Sequence, residues 1–366
     1  MEVRLWKTNI RMGGGQNTYK INPLFKDIKE YNKYLLSLIG IFVLLLSGII
    51  SYNYTNTSYA KWSSSTESKN IIKIHIKTGK SALEFAQSKV GTDGLELITH
   101  TIDNTLQVDS KFATEYRYRG GNVANYVTFN NEVWRIIGII PTEDTDGNVE
   151  NRIKIIRDTS IGNMYWNTTK DTTTNTYNNW VTATLNTYLN NDYYNTLTTD
   201  AKNMIGTTKY YLGGNNDHPS FTSDVMWQYE RKSSGSRYYK GSNPIMQNDA
   251  SKKIAIMYAS DYGYGASKEC TSNLYDYSKS SNCKTTNNWL DKSTITWLLP
   301  QGTDVSRNAF CVDSTGYVQS GGIVSSYEHE VHPVLYLSSN VKISGGKGTP
   351  QKPYQLSISW VTWASL

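Results

Sequence analysis

The sequence has little charge: 19% of its 366 residues are Asp, Glu, Lys or Arg, and the net charge is +6. Most of this excess is local, because residues 1–33 hold seven basic and three acidic side chains. The rest of the chain shows no concentrated basic stripe of the kind that a nucleic-acid groove requires. We therefore expect no nucleic-acid partner. The hydrophobic content of 38% is nevertheless sufficient for a core.

The sequence also lacks the usual motifs of catalysis, metal binding and nucleotide binding. His329 and His332 in HEVH are one residue too close for the helical zinc motif, and on a strand they would point to opposite faces. The segment TGKS at 78–81 lacks the upstream glycine of a phosphate-binding loop. No nucleophile elbow or dinucleotide-binding fingerprint occurs. We predict that the protein is not an enzyme and has neither a cofactor nor a metal site.

Cysteine is scarce, with Cys270, Cys283 and Cys311 as the only three. Cys270 and Cys283 bracket a polar loop that has little else to hold it together. Closing a loop of this size would contribute about 3 kcal/mol on the chain-entropy argument. We predict a Cys270–Cys283 disulfide. Cys311 lies in AFCVDSTGYV, which alternates like a strand, and we expect it to be a small buried residue.

One long apolar run stands out: residues 34–52, YLLSLIGIFVLLLSGIISY, carry no charge. A helix of this length rises roughly 28 Å, about the thickness of the hydrocarbon core of a bilayer. Three lysines lie within residues 26–33 and no basic residue lies within 53–60, so the positive-inside rule favours a cytoplasmic N-terminus. We expect a single-pass cell-membrane protein with a signal-anchor and an extracellular bulk. A signal peptide cleaved near Ala60 is the open alternative.

The remaining sequence is rich in aromatic residues, with 28 Tyr and 10 Trp. We divide the chain into a cytoplasmic leader (1–33), a transmembrane helix (34–52), a stalk with a short strand and a helix (53–112), an extracellular domain (113–357) and a C-terminal tail (358–366). The stalk strand is expected at 71–77 and its helix at 81–89.

The predicted domain begins with an antiparallel meander. The strands ANYVTF and EVWRIIGII are joined by a turn at Asn130-Asn131, and RIKIIRD follows after the turn PTEDTDGN. Apolar residues then recur at helical spacing through 178–206, which predicts a pair of helices. Residues 213–251 form a long polar loop whose order the sequence leaves open. The segment KIAIMYASDYGYG predicts a core strand that enters a tyrosine-rich loop.

The order of the blocks IMYASDYGY, TWLLP, AFCVDSTGYV, VHPVLYL and GGKGTPQKPYQL resembles an uncharacterised domain of Gram-positive bacterial surface proteins. That family is similar to C-type-lectin-like folds, which include the formylglycine-generating enzymes. The resemblance covers roughly residues 113–357. It implies an α+β domain with an antiparallel sheet, two helices and long loops that form a binding face. The calcium-binding signatures of sugar-binding lectins are absent, which argues against calcium-dependent sugar binding.

These features together predict an extracellular module that binds a glycan, a cell-wall polymer or a protein through aromatic loops. The candidate ligand-binding residues are Trp227, Tyr229, Tyr238, Tyr239, Tyr262, Tyr264, Tyr275 and Tyr277. Core packing is the alternative role for each of these rings. Two other functions stay open: a structural or accessory protein of the cell envelope, and a cell-surface enzyme of unknown reaction. The acidic and histidine residues that such an enzyme could use are Asp261, Asp276, Glu328 and His329.

Overall fold

The computed structural model describes residues 59–63, 73–77, 79–106, 108–173, 175–214, 221–232, 246–303 and 305–358. The chain divides into two units. The first comprises Met1–Thr78 and Trp360–Leu366, and its described part is the antiparallel pair β1 (Tyr59–Ser63) and β2 (Lys73–Lys77). The second unit is Gly79–Ser359 and contains all the other elements described below.

The predicted transmembrane helix requires a correction. Among the described residues no helix is long and apolar enough to cross a bilayer, which contradicts the single-pass architecture and the membrane localisation. The longest described helix has nine residues and rises only about 14 Å, less than half of a hydrocarbon core. Residues 34–52 themselves lie outside the described residues. What the structure shows is a mixed α and β fold that consists mostly of sheet.

The larger sheet has seven strands, all paired antiparallel. They are β3 (Leu95–Thr99), β4 (Thr114–Tyr118), β5 (Tyr126–Phe129), β6 (Glu132–Glu143), β7 (Val149–Arg157), β11 (Ile254–Ala255) and β16 (Val334–Tyr336). Their order is β11-β16-β7-β6-β4-β3, and β5 also pairs with β6. The β5–β6 turn is the predicted Asn130-Asn131, both with positive φ, as a tight hairpin requires. The predicted meander is confirmed.

The second sheet has five strands in the order β14-β13-β12-β15-β8. They are β8 (Asn163–Tyr165), β12 (Thr296–Gln301), β13 (Asn308–Val312), β14 (Val318–Ile323) and β15 (Glu328–Glu330). Two hairpin-like pairs complete the strands: β9 (Tyr210–Tyr211) with β10 (Met246–Gln247), and β17 (Val341–Gly345) with β18 (Gln355–Ile358). The bridge between Val127 and Tyr354 ties the last pair to β5.

The described helices are short. They are α1 (Ala82–Lys89), α2 (Thr184–Tyr188), α3 (Tyr194–Thr196), α4 (Thr199–Met204), α5 (Ser223–Arg231) and α6 (Ala259–Gly265). The predicted helix at 81–89 is confirmed as α1, which begins at a capping box between Ser81 and Glu84. The chain passes from α2 to α3 through a π-helical turn, Leu189–Tyr193, instead of ending there. The side chain of Asn190 stabilises this turn because it bonds both Asn186 and Ile254.

The tyrosine-rich segment that was predicted as a loop is α6, and every residue of it is buried. Its N-terminus is closed by Asp261, whose Oδ2 accepts a hydrogen bond from the backbone N–H of Tyr258 at 2.8 Å. Only two residues of the expected core strand, Ile254 and Ala255, pair as β11. The prediction of a loop was wrong because alternating tyrosines and glycines gave no helical period.

Candidate functional site

Most of the predicted ligand-binding aromatic residues that the structure describes lie in the core. Trp227, Tyr262, Tyr264 and Tyr277 are at most 6% exposed. Tyr229 is half-buried and stacks on Phe221, whereas Tyr275 is 39% exposed and contacts Tyr317 edge-on. Tyr238 and Tyr239 lie outside the described residues. The buried rings cannot contact a ligand unless the core opens, so these residues do not form one exposed binding face.

The Cys270–Cys283 disulfide is confirmed. It closes a loop that contains a 3₁₀ turn, Leu274–Lys279, from which Leu274 and Tyr277 enter the core. Cys311 is free and buried in β13. Burial raises the pKa of its thiol to about 12, so the thiolate, which is the reactive form, is rare near neutral pH.

Asp261 lies at the centre of a buried ion network. Its carboxylate accepts hydrogen bonds from Arg117 Nη1 at 2.6 Å and from Lys154 Nζ at 2.5 Å. All three side chains are at most 1% exposed. Burial opposes ionisation of Asp261, but the charges of Lys154 and Arg117 outweigh it and hold its pKa below the ordinary value. Burial lowers the pKa of Lys154 to about 8, although Asp261 counteracts this effect.

His100 extends this network towards the surface. Its Nδ1 lies 2.6 Å from Asp224 Oδ1, and its Nε2 lies 3.0 Å from Glu115 Oε1. The imidazole ring stacks on Trp227 at 3.7 Å, which holds α5 against the residue that follows β3. Trp227 is therefore a packing partner in a polar core, and its position explains why it does not present a face to solvent.

The four residues considered for an enzyme lie on three separate elements, because only Glu328 and His329 share a strand. Asp261 belongs to the buried network, and Asp276 forms an exposed ion pair with Lys279 at 2.7 Å. Glu328 lines a groove of about 300 Å³ beside Tyr165 and Tyr188. His329 follows it on β15 and packs against Trp297.

A different set of residues surrounds an open cleft of about 510 Å³. Five chain segments contribute to it: the α1–β3 turn, the loop before β5, the β5–β6 hairpin, the segment before β12 and the β17–β18 turn. The lining residues are Asp93, Gly121, Asn122, Val123, Ala124, Tyr126, Arg135, Asn288, Trp289, Asp291, Thr349 and Pro350. A volume of this size is typical of sites for small ligands, roughly 300–1,000 Å³.

The central feature of the cleft is the guanidinium group of Arg135, which lies against two aromatic rings. Its Cζ lies 3.9 Å from the ring centroid of Tyr126 and 4.7 Å from that of Trp289. Arg135 Nε donates to Asn125 Oδ1 at 2.5 Å, and Trp289 Nε1 donates to the carbonyl of Tyr118 at 2.8 Å. Burial lowers the pKa of Arg135, although interactions with Tyr126 and Asp158 partly raise it again. These contacts hold both rings in place before any ligand arrives.

The walls of the cleft are held together by backbone hydrogen bonds. Trp289 donates to Gly120 at 3.1 Å, Ala124 donates to Asp93 at 3.0 Å, and Tyr126 donates to Gly348 at 2.9 Å. At Gly121 a Cβ atom would lie 1.6 Å from the carbonyl oxygen of Thr286, so only glycine allows the two loops to approach this closely. The cleft is therefore pre-formed.

Sequence reasoning missed Tyr126, Arg135 and Trp289 as site residues. One signal was present, because a hairpin turning at Asn130-Asn131 places Tyr126 directly opposite Arg135. Nothing in the sequence indicated that Trp289 would lie near this pair. Among the residues described by the structure, no cluster of three His, Cys, Asp or Glu could hold a metal ion.

Comparisons with protein-family models, with curated proteins and with solved structures returned no match. The resemblance to a bacterial surface-protein domain with a C-type-lectin-like fold therefore stays a prediction.

Proposed function

We propose that this chain is a binding module whose ligand occupies the cleft around Tyr126, Arg135 and Trp289. The observation that supports this most directly is the Tyr126–Arg135–Trp289 stack in a cleft of about 510 Å³. The half-buried ring of Tyr126 can supply contact area at low entropic cost, whereas Trp289 is only 5% exposed and serves to hold Arg135 in place. Since the rings are already held in place, less conformational entropy is lost when a ligand binds.

The polar rim supports the same function. Asn122 and Asp93 are exposed at the mouth of the cleft, and Thr349 and Asp291 are half-buried in its walls. A few convergent polar groups beside aromatic rings are the usual composition of a specific ligand site. A glycan, a segment of cell-wall polymer or an extended peptide could each be held in this way. The buried ion network, in contrast, is built from side chains that are at most 1% exposed, and we assign it a role in packing.

The proposal can be tested with the full 366-residue chain, kept free of reductant, on an array of glycans, wall-polymer fragments and peptides. We expect at least one class to be retained. The variant Tyr126→Ala removes one ring, and Asn122→Trp fills the mouth of the cleft from an exposed position. Each should weaken binding by about tenfold or more, equivalent to roughly 1.4 kcal/mol.

Tyr327→Ala is the matched control, because Tyr327 is 51% exposed and does not line the cleft. Circular dichroism of each variant separates lost binding from lost folding. Two results would count against a binding function at this site. Both cleft variants could bind every ligand as the wild type does, or the wild-type chain could bind nothing on the array.

A further inference from the structure

We propose a second binding site, for a quaternary ammonium ion, in the groove of about 300 Å³ beside β8 and α2. This groove and the cleft share no lining residue, so the site is independent of the proposed function. Its volume lies at the lower end of the roughly 300–1,000 Å³ that is typical of sites for small ligands. The groove therefore suits a small molecule or a single chemical group.

The lining of the groove carries one formal charge, the carboxylate of Glu328. Glu328 is exposed, and no Lys, Arg or His among the residues that the structure describes forms an ion pair with it. Glu330 on the same strand differs, because its carboxylate accepts a hydrogen bond from Thr294 at 2.8 Å and lies 3.3 Å from His332. The groove thus presents an uncompensated negative charge, which attracts a cation and repels an anion.

Two tyrosine rings lie beside this charge. Tyr165 is directly opposite Glu328 in the antiparallel register of β8 and β15, so the two side chains leave the same face of the sheet. Tyr188 lines the groove from α2. Tyr165 is 37% exposed and Tyr188 is half-buried, so both rings have surface that a ligand can contact. Within the described part of the chain, no side chain places a cation over either ring.

A carboxylate beside aromatic rings favours a quaternary ammonium ion. The negative face of an aromatic ring attracts a cation in addition to the attraction of the carboxylate. A quaternary nitrogen has no N–H group, so it needs no hydrogen-bond acceptor, and its methyl groups can pack on the rings. A primary ammonium group has three donors and is strongly hydrated, so its transfer from water to the rings costs more.

Hydrogen bonds hold the two walls of the groove together. The backbone N–H of Leu185 on α2 donates to the carbonyl of Trp166 at 3.3 Å. The backbone N–H of Thr184 donates to Oδ1 of Asn167 at 3.0 Å. Both partners directly follow β8 and are buried. These bonds fix α2 against the segment after β8, so less order has to be imposed on the rings when a ligand binds.

The proposal is tested by titrating the full chain with three small molecules, followed by ligand-observed NMR. Choline carries a quaternary ammonium ion, 3,3-dimethyl-1-butanol is its uncharged isostere, and ethanolamine carries a primary ammonium group. We expect choline to bind at least about threefold more tightly than either of the others. Its affinity should fall between roughly 50 and 500 mM NaCl, because salt screens an exposed charge pair.

Two variants connect this selectivity to the groove. Glu328→Gln removes the charge and keeps the shape, and Tyr165→Leu removes one ring. Each should weaken choline binding by about threefold or more, since an exposed charge pair and a cation–π contact each contribute modestly. Asp276→Asn is the matched control, because it removes an exposed carboxylate that does not line the groove and should leave the affinity unchanged. Circular dichroism verifies that each variant is folded.

Every contrary outcome has a defined meaning. Equally tight binding of 3,3-dimethyl-1-butanol would overturn the cationic class of ligand, and tighter binding of ethanolamine would overturn the quaternary class. Choline binding that Glu328→Gln and Tyr165→Leu leave unchanged, or no choline binding up to about 10 mM, would overturn the site itself. Tyr126→Ala should retain choline binding, so failure of this proposal is distinguishable from failure of the function proposed for the cleft.

Discussion

Lys154 and Asp261 show at the scale of single residues why charge inside this protein must be paired. Lys154 follows Ile153 and precedes Ile155 on β7, and all three side chains are buried because the strand is covered on both faces. A lone ammonium group in such a place would be costly. Asp261 on α6 provides its counter-charge and also neutralises Arg117. Folding therefore brings β4, β7 and α6 together at one carboxylate.

Replacement of Asp261 by alanine should lower the free energy of unfolding by about 3–5 kcal/mol, because it leaves the buried Lys154 without its carboxylate partner and leaves Arg117 with Glu115 alone. Asp276→Ala is the control: Asp276 and Lys279 form an exposed pair, for which a change of less than about 1 kcal/mol is expected. Urea unfolding curves of the two variants measure the difference. Similar losses for both would contradict the role assigned to the network.

Glu230 predicts a specific pH dependence. Burial raises the pKa of this carboxyl group to about 7, in spite of Arg231 and Ser260. Between about pH 4.5 and pH 7 the folded protein keeps a proton on Glu230 that the unfolded chain releases. The contribution of Glu230 to the free energy of unfolding is therefore fully present below about pH 4.5. It decreases as the pH rises from there to about 7. Across this range the change in the free energy of unfolding that is due to Glu230 is roughly 3 kcal/mol.

The variant Glu230→Gln lacks this titration. Subtracting its free energy of unfolding from that of the wild type cancels the contributions of the other titrating groups, which both proteins share. Glu115 and Asp261 have lowered pKa values and are ionised in both states above about pH 4.5. The stability of the wild type relative to Glu230→Gln should therefore decrease between about pH 4.5 and pH 7. A constant difference in chemical unfolding across that range would show that Glu230 is ionised in the folded protein throughout.

At the scale of elements, β6 organises the larger sheet because it pairs with β4, β5 and β7 along its twelve residues. Its pairing with β7 shifts register between Ile136 and Gly138. At Gly138 a Cβ atom would lie 2.1 Å from the carbonyl oxygen of Tyr116 on β4. The absence of a side chain thus allows β4 to approach the irregular part of β6.

Gly138→Ala should accordingly destabilise the protein by about 1–3 kcal/mol through overpacking. Gly345→Ala serves as the control, since a Cβ atom at that position would have nothing within 4 Å and the φ of Gly345 is ordinary for any residue; a change within about 0.5 kcal/mol is expected there. Thermal unfolding of both variants measures the effect. Equal midpoints would mean that β4 can move away from β6 without cost.

At the scale of the whole molecule, the core of the second unit is continuous from Ala82 on α1 to Ile358 on β18. The last hairpin matters for this continuity because Tyr354 bonds the backbone of Tyr126 and Thr128 on β5. The same hairpin contributes Thr349 and Pro350 to the cleft. The C-terminal part of the unit therefore completes both the core and the candidate site.

A fragment of residues 79–359 should consequently unfold cooperatively, with a midpoint close to that of the full chain. A fragment of residues 79–340 lacks β17 and β18. It should lose the cooperative transition, because Tyr354 is absent and its hydrogen-bond partners on β5 are left unpaired. Differential scanning calorimetry distinguishes the two. Cooperative unfolding of the shorter fragment would show that the hairpin is an accessory to the core.

The local features that sequence reasoning predicted correctly depend on short-range physics. The capping box of α1, the Asn130-Asn131 hairpin and the Cys270–Cys283 bridge each involve residues close in sequence. The assignment of Trp227, Tyr262, Tyr264 and Tyr277 to a binding surface required knowledge of burial, which the sequence does not contain. Tyrosine has an apolar ring and a polar hydroxyl group, so the residue type alone does not tell whether a tyrosine lies in the core or at the surface.

By itself the sequence determined a β-rich chain with hairpins, a capped helix, one disulfide and a buried free cysteine, because periodicity, turn residues and loop closure act over a few residues. The tertiary structure alone decided which aromatic residues face solvent, how the buried charges are paired, and that Trp289 meets the Tyr126–Arg135 pair. Those outcomes depend on contacts between segments more than 100 residues apart in the chain, whose energies arise only when the whole fold forms.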